Sequence, residues 1–179
     1  MRTTAVELNP SVIGAGRAWF HLPHDSPRLQ VLEQDAATFV ADPQRADSVQ
    51  VLCVDLYDHE AAAPVLDSED FYANCRRVLA DDGVMSVNLF GRQNSFARSL
   101  ARIAGVFGSN QVRTMQPTRE GNSIVVALKS APFPAQSVLA ARAQNIETRF
   151  HLPARKWVRM LRSLSPTEPS SLEPEPASE

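Results

Sequence analysis

Four carboxylates, Glu7, Asp35, Asp55 and Asp58, each stand at or just beyond the end of a strand-like run. Ionised carboxylates only accept hydrogen bonds. A set of them gathered at one edge therefore suits a ligand rich in hydroxyl, amine or ammonium donors. Asp55 makes the strongest case, because it directly follows the apolar run Val49–Val54, where a side chain falls at the rim of a sheet. Asp35 has two readings, a cap for the helix after it or a ligand contact. Asp58 is a loop acid or a binding group, and Tyr57 between them is a packing residue or a substrate contact. His21 and His24 have a spacing that suggests a metal, but Pro23 lies between them and no cysteine is near, so no metal site is expected.

These acids need elements to carry them. Thr3–Val6 reads as a strand, and Asn9-Pro10 then opens a helix with Val12, Ile13, Gly16, Trp19 and Phe20 at helical spacing. A second strand covers Arg28–Glu33, and a short helix covers Ala36–Val40. Val49–Val54 reads as a strand buried on both faces. Asp67 is the expected N-cap of a helix with Phe71, Cys75, Val78 and Leu79 on its apolar stripe, and Asp81-Asp82-Gly83 is the expected stop, with Gly83 in a left-handed cap. A strand over Val84–Phe90 and a helix marked by Phe96, Leu100, Ile103 and Phe107 follow. Gln111–Gln116 and Ile124–Lys129 are expected as two strands of a hairpin. This alternation predicts an α/β fold with a mainly parallel sheet and an antiparallel C-terminal hairpin. In such sheets ligands bind beyond the carboxyl ends of the strands.

The division expected is an α/β domain over 1–130, a linker and amphipathic helix over 131–164, and a disordered acidic Pro/Ser-rich tail over 165–179. In the helix, expected from Pro153 to Leu164, Trp157, Met160, Leu161 and Leu164 share one face. Net charge is -2, with 44% hydrophobic and 21% charged residues, which gives no electrostatic case for a nucleic-acid or membrane partner. Cys53 and Cys75 read as buried free thiols. No run approaches transmembrane length and no secretory core opens the chain, so a cytoplasmic protein is expected.

The landmarks Val6-Glu7-Leu8-Asn9-Pro10, Asp35-Ala36, Val54-Asp55-Leu56-Tyr57-Asp58, Phe71-Tyr72, and Arg77-Val78-Leu79 through Asp82-Gly83-Val84 resemble the spermidine synthase family of polyamine aminopropyltransferases. Gly121-Asn122 before an apolar strand resembles its final hairpin. The resemblance covers roughly residues 5 to 129 and implies a Rossmann-like fold of the S-adenosylmethionine-dependent methyltransferase type. It also implies aminopropyl transfer from decarboxylated S-adenosylmethionine to a polyamine such as putrescine. By position, Glu7 would meet the ribose hydroxyls, Asp35 and the Ala36 N–H the adenine, Asp55 the attacking amine, and Asp58 with Tyr57 the polyamine.

The chain departs from the family where the glycine-rich first strand and loop and the small N-terminal β-domain are missing. Asp55-Leu56-Tyr57-Asp58-His59 replaces a Ser/Thr-rich loop, and Asn88-Leu89 replaces the usual Gln. The missing strand would lie between the one ending at Glu7 and the one ending at Asp55. A sheet one strand short, a homo-oligomer, or a partner chain completing the sheet is therefore expected. Two further readings stand beside aminopropyl transfer: an S-adenosylmethionine-dependent methyltransferase, and a noncatalytic remnant or interaction protein of the same fold.

Overall fold

The computed structural model describes residues 1–56, 64–90, 93–117 and 122–164. Strand β1 (Thr3–Glu7) leads into helix α1 (Pro10–Trp19), then β2 (Leu29–Glu33), α2 (Ala36–Ala41) and β3 (Val49–Val54). Helix α3 (Glu69–Val78), β4 (Leu79–Phe90), α4 (Gln93–Phe107), β5 (Val112–Met115) and β6 (Asn122–Leu128) follow. Helices α5 (Gln136–Phe150) and α6 (Ala154–Met160) and a short β7 (Leu161–Ser163) complete the described chain.

The strands form two sheets. β1 pairs with β2 in parallel, Thr3 opposite Leu29 through Glu7 opposite Glu33. The other sheet has the order β3-β4-β6-β5-β7, with β3 and β4 parallel and the remaining pairs antiparallel. The strand expected between β1 and β3 is the place where the sheet divides. The two parts are joined through α2 and α3. Arg77 on α3 donates to the carbonyls of Val40, at 2.9 Å, and Asp42, at 3.2 Å, at the end of α2.

The core belongs to the larger sheet. Tyr72, Cys75, Val78, Leu79, Met85, Val87, Ile103, Val112, Val125 and Ala127 are fully buried between α3, α4 and the β4–β6 strands. α3 forms because Ser68 caps it, its Oγ accepting from the Phe71 N–H, and because Glu69 and Asp70 favour the positive end of its dipole. The cap is thus Ser68 and not Asp67. α4 stops at Gly108, whose φ of +92° only glycine adopts without strain.

Several expectations need correction. α3 ends at Val78, and β4 runs straight through Asp81-Asp82-Gly83, which bulges out of register between the pairs Val49/Leu79 and Val51/Val84. Gly83 does not take a positive φ; its bare Cα instead lets the Ala80 carbonyl approach, 2.8 Å from where a Cβ would stand. β3 forms where expected but is not buried on both faces: Val51 is 54% exposed and Cys53 is exposed. Burial of both faces needs a packed layer on each, and β3 lies at the edge of the larger sheet, with β4 as its one strand partner among the described residues. Cys75 is buried as expected, and that burial pushes its thiol up to about 12.

The C-terminal region differs most. The expected helix over 153–164 stops at Met160, and Leu161–Ser163 pairs with β5, because the open edge of β5 offers ladder hydrogen bonds that outweigh another helical turn. Residues 136–150, expected as linker, form α5. It has no side-chain cap and buries only Ala143, so its sequence carries little periodic signal. Among the described residues, no helix is long and apolar enough to cross a membrane. The tail over 165–179 lies outside the described residues.

Candidate functional site

The carboxyl ends of the parallel strands carry two groups of acids. On the first, Glu7 closes β1 and its Oε1 accepts from the Asn9 N–H at 2.7 Å, while Asn9 Oδ1 caps α1 through the Ser11 N–H at 2.9 Å. The Gln34 N–H donates to the Glu7 carbonyl at 3.1 Å, which holds the β2–α2 turn against the end of β1. Asp35 follows in that turn. Its Oδ1 accepts from the Thr38 N–H, at 2.8 Å, and from Thr38 Oγ1, at 3.0 Å, so the capping reading of Asp35 is realised. Both bonds use one oxygen and leave Oδ2 for another donor. The Ala36 N–H opens α2, where first-turn amides have no intrahelical acceptor.

On the second, Asp55 stands exposed one residue past β3. Since Val54 pairs with Val87, Asp55 falls beside Asn88, and Asn88 Nδ2 donates to Asp55 Oδ1 at 3.1 Å. Asn88 is a site residue that the sequence pattern marked only as a departure. Only the β3–β4 register, between residues 33 apart in the chain, brings the two side by side. Tyr57, Asp58 and His59 lie outside the described residues. Where the chain resumes, the Leu66 carbonyl accepts from the buried Tyr72 and Ser99 hydroxyls, both at 3.0 Å, which fixes the far end of that loop.

The structure thus brings Glu7 close to the Asp35 turn, and Asp55 to Asn88. No hydrogen bond among those described joins the two groups. Two clefts, of about 310 Å³ between α2 and α3 and about 270 Å³ beside β5 and β7, are lined by none of these acids. His24 Nδ1 lies 3.1 Å from Arg17 Nη1, and Arg17 also pairs with Asp25 at 2.9 Å, so this histidine serves to tie the loop to α1.

The spermine/spermidine synthase domain family matches residues 1–134. The chain belongs to this family. It is 30% identical over 161 residues to the polyamine aminopropyltransferase of Chromobacterium violaceum, covering 89% of this chain and 60% of that protein. It is 29% identical over 172 residues to that of Neisseria meningitidis serogroup A, covering 95% and 63%. The chain therefore spans about three fifths of the length of these relatives. A crystal structure of spermidine synthase with the transition-state analogue AdoDATO superposes with a TM-score of 0.61 at 24% identity, over 72% of this chain and 47% of that one. Human methyltransferase-like protein 13 in complex with SAH gives a TM-score of 0.70 at 21% identity, over 95% and 77%. These likenesses establish the Rossmann-like methyltransferase fold.

Proposed function

We propose that the chain serves aminopropyl transfer, from decarboxylated S-adenosylmethionine to a polyamine such as putrescine, with methylthioadenosine as the other product. The observation that carries this reading is Asp55, set past β3 with one oxygen held by Asn88 and the other left to a substrate amine. The family match and the names of the aminopropyltransferase relatives support it.

An ammonium group has no lone pair, so transfer begins with loss of a proton from the amine to the Asp55 carboxylate. The freed nitrogen attacks the methylene carbon next to the sulfonium. The new C–N bond forms as the C–S bond breaks, and its electron pair returns to sulfur, leaving a neutral thioether. The Asn88 amide keeps Asp55 turned to the rim and marks Oδ2 as the oxygen that takes the proton. Glu7 Oε2 accepts from the ribose hydroxyls, and Asp35 Oδ2 with the Ala36 N–H takes the adenine edge. Asp58 and Tyr57 hold the polyamine in this reading.

The divided sheet favours a second reading, in which the chain keeps the fold without turnover. A coupled assay of methylthioadenosine release from decarboxylated S-adenosylmethionine and putrescine separates the two. The first reading expects turnover that falls at least about 100-fold in Asp55→Asn, the range of general-base catalysis, with nucleoside affinity little changed. Turnover unaffected by Asp55→Asn rejects the assigned base, and no turnover in the unsubstituted chain supports the second reading. Methyl transfer from S-adenosylmethionine to the same amine would point instead to a methyltransferase.

A further inference from the structure

Residues 136–163 carry six basic side chains, Arg142, Arg149, Arg155, Lys156, Arg159 and Arg162, against one acid, Glu147. This stretch is therefore +5 in a chain whose net charge is -2. All six basic residues are exposed, on the α5–α6 hairpin and the β7 that follows it. Glu147 is already engaged: it accepts from the Arg155 backbone N–H at 2.9 Å and pairs with the Arg155 guanidinium, and Arg159 also attracts it. Apolar side chains lie among these charges. Phe150, Leu152 and Trp157 are 57%, 45% and 42% exposed, and the Arg149 guanidinium sits over the Phe150 ring. Each of the two helices buries a single alanine, Ala143 and Ala154, so the basic face has no cover among the described residues.

The sequence that follows has the opposite character. Residues 165–179 hold four glutamates, Glu168, Glu173, Glu175 and Glu179, and no Lys or Arg. They also hold four prolines, which cannot donate to a strand ladder, so side chains are their means of attachment. Leu172 is the one large apolar side chain among them. We propose that residues 165–179 dock along the α5–α6 hairpin, with their glutamates on the Arg/Lys face and Leu172 against the apolar surface of Phe150, Leu152 and Trp157.

The lengths allow it. From Lys156 to Leu164 the chain makes one helical turn and then a short strand, at most about 20 Å in all. Glu173 is nine residues past Leu164, and an extended proline-rich segment advances about 3.1 Å per residue, so it reaches about 28 Å. That span covers α6 and the α5 turns beside it. Tethering gives the segment an effective concentration in the millimolar range, which a separate anionic partner has to match from solution. Exposed ion pairs are individually weak and screened by salt, so the docked segment is removable. It would shield the basic face from weak anions and yield it to a more densely charged surface. The inference rests on charge, exposure and reach and not on the aminopropyl reading.

The chain has two lysines, which makes zero-length carbodiimide crosslinking of the full chain a selective test. Lys129 is held by Asp47 and the Leu79 carbonyl, so Lys156 is the reporter. At low salt, mass spectrometry should find Lys156 joined to Glu168, Glu173 or Glu175 within monomers. The yield should fall at least about fivefold in about 1 M NaCl, where the Debye length is about 3 Å. Changing Glu168, Glu173, Glu175 and Glu179 together to Gln, in a Trp19→Phe background, should raise acrylamide quenching of Trp157 roughly twofold, as the tethered segment no longer shields it. Unchanged quenching overturns the docking, as do crosslinks that are absent or insensitive to salt while Lys156 couples to added succinate. Crosslinks confined to dimers overturn it in favour of a second copy. Equal binding of phosphatidylserine vesicles by the unsubstituted and Gln-substituted chains overturns it by showing the face open. No readout involves turnover, so a failure of aminopropyl transfer leaves the result intact.

Discussion

Helices α1 and α3 are each ten residues long, and each begins with a side-chain cap and carries an apolar stripe, yet α3 buries four residues and α1 none. Both have a local start signal, and α3 adds Glu69 and Asp70 in its first turn where α1 carries Gly14 and Gly16 inside. The larger difference is the surface beneath them: α3 lies on α4 and the larger sheet, whereas α1 accompanies a two-stranded pair with no further strand partner among the described residues. An apolar stripe contributes to stability only where another element removes it from water, at about 25 cal/mol per Å² of apolar surface buried.

The largest expected effect makes that contrast measurable. Phe107→Ala, at a side chain 2% exposed, should cost about 3–5 kcal/mol in urea denaturation. Trp19→Ala removes a larger ring that is 75% exposed and should change stability by less than about 0.5 kcal/mol. Equal losses at the two positions would mean that α1 is packed in solution and that the contrast between the two regions is false.

Arg77 connects those regions, so its loss should be the next largest. It donates to Val40 and Asp42 carbonyls and to Asn74 Oδ1. Hydrogen bonds to charged groups contribute about 1.5–3 kcal/mol, and Arg77→Ala is expected to lose about that much. The loss should also speed amide exchange in β1 and β2 more than in β6. Uniform acceleration would show that Arg77 supports the core in general and not the junction.

Most of the local structure was legible in the sequence. Asn9-Pro10 marks the start of α1, the apolar run marks β3, and the alternation of strands and helices gives the parallel pairs β1–β2 and β3–β4. The misses share a cause, namely that burial and edge pairing are set by distant neighbours. Val51 and Cys53 have core-like types but lie on the edge strand of the larger sheet, where they stay exposed. Leu161–Ser163 continue a helical pattern and are captured by the edge of β5. Of the site, Asp55 was legible from its place after β3. Asn88 was not, because its partner lies 33 residues away and only the β3–β4 register brings them together. Asp35 was legible as a cap, and its bonds to Thr38 occupy one oxygen only.

The smallest effect concerns the α5–α6 hairpin. A hydrogen bond from the Arg155 backbone N–H, and then the Arg155 guanidinium, hold the Glu147 carboxyl below its ordinary value of 4.5. A carboxyl with a lowered folded-state pKa adds stability that is present above its unfolded value and is lost as pH falls through the lowered one. Trp157 fluorescence, read in a Trp19→Phe background, should therefore report loosening of α6 as pH drops below about 4.5. Glu147→Gln should flatten that dependence. Its partner Arg155 is 64% exposed, so added salt should weaken the effect. A profile identical in Glu147→Gln would assign the transition elsewhere.

In the proposed reading labour divides between two places, Glu7 and Asp35 holding the nucleoside and Asp55 acting on the amine. Calorimetric titration with methylthioadenosine tests it most directly. Binding should weaken about 10- to 100-fold in Glu7→Ala, the equivalent of a charged hydrogen bond, and change little in Asp55→Asn. Equal affinity in Glu7→Ala and the unsubstituted chain, or a loss confined to Asp55→Asn, would contradict it.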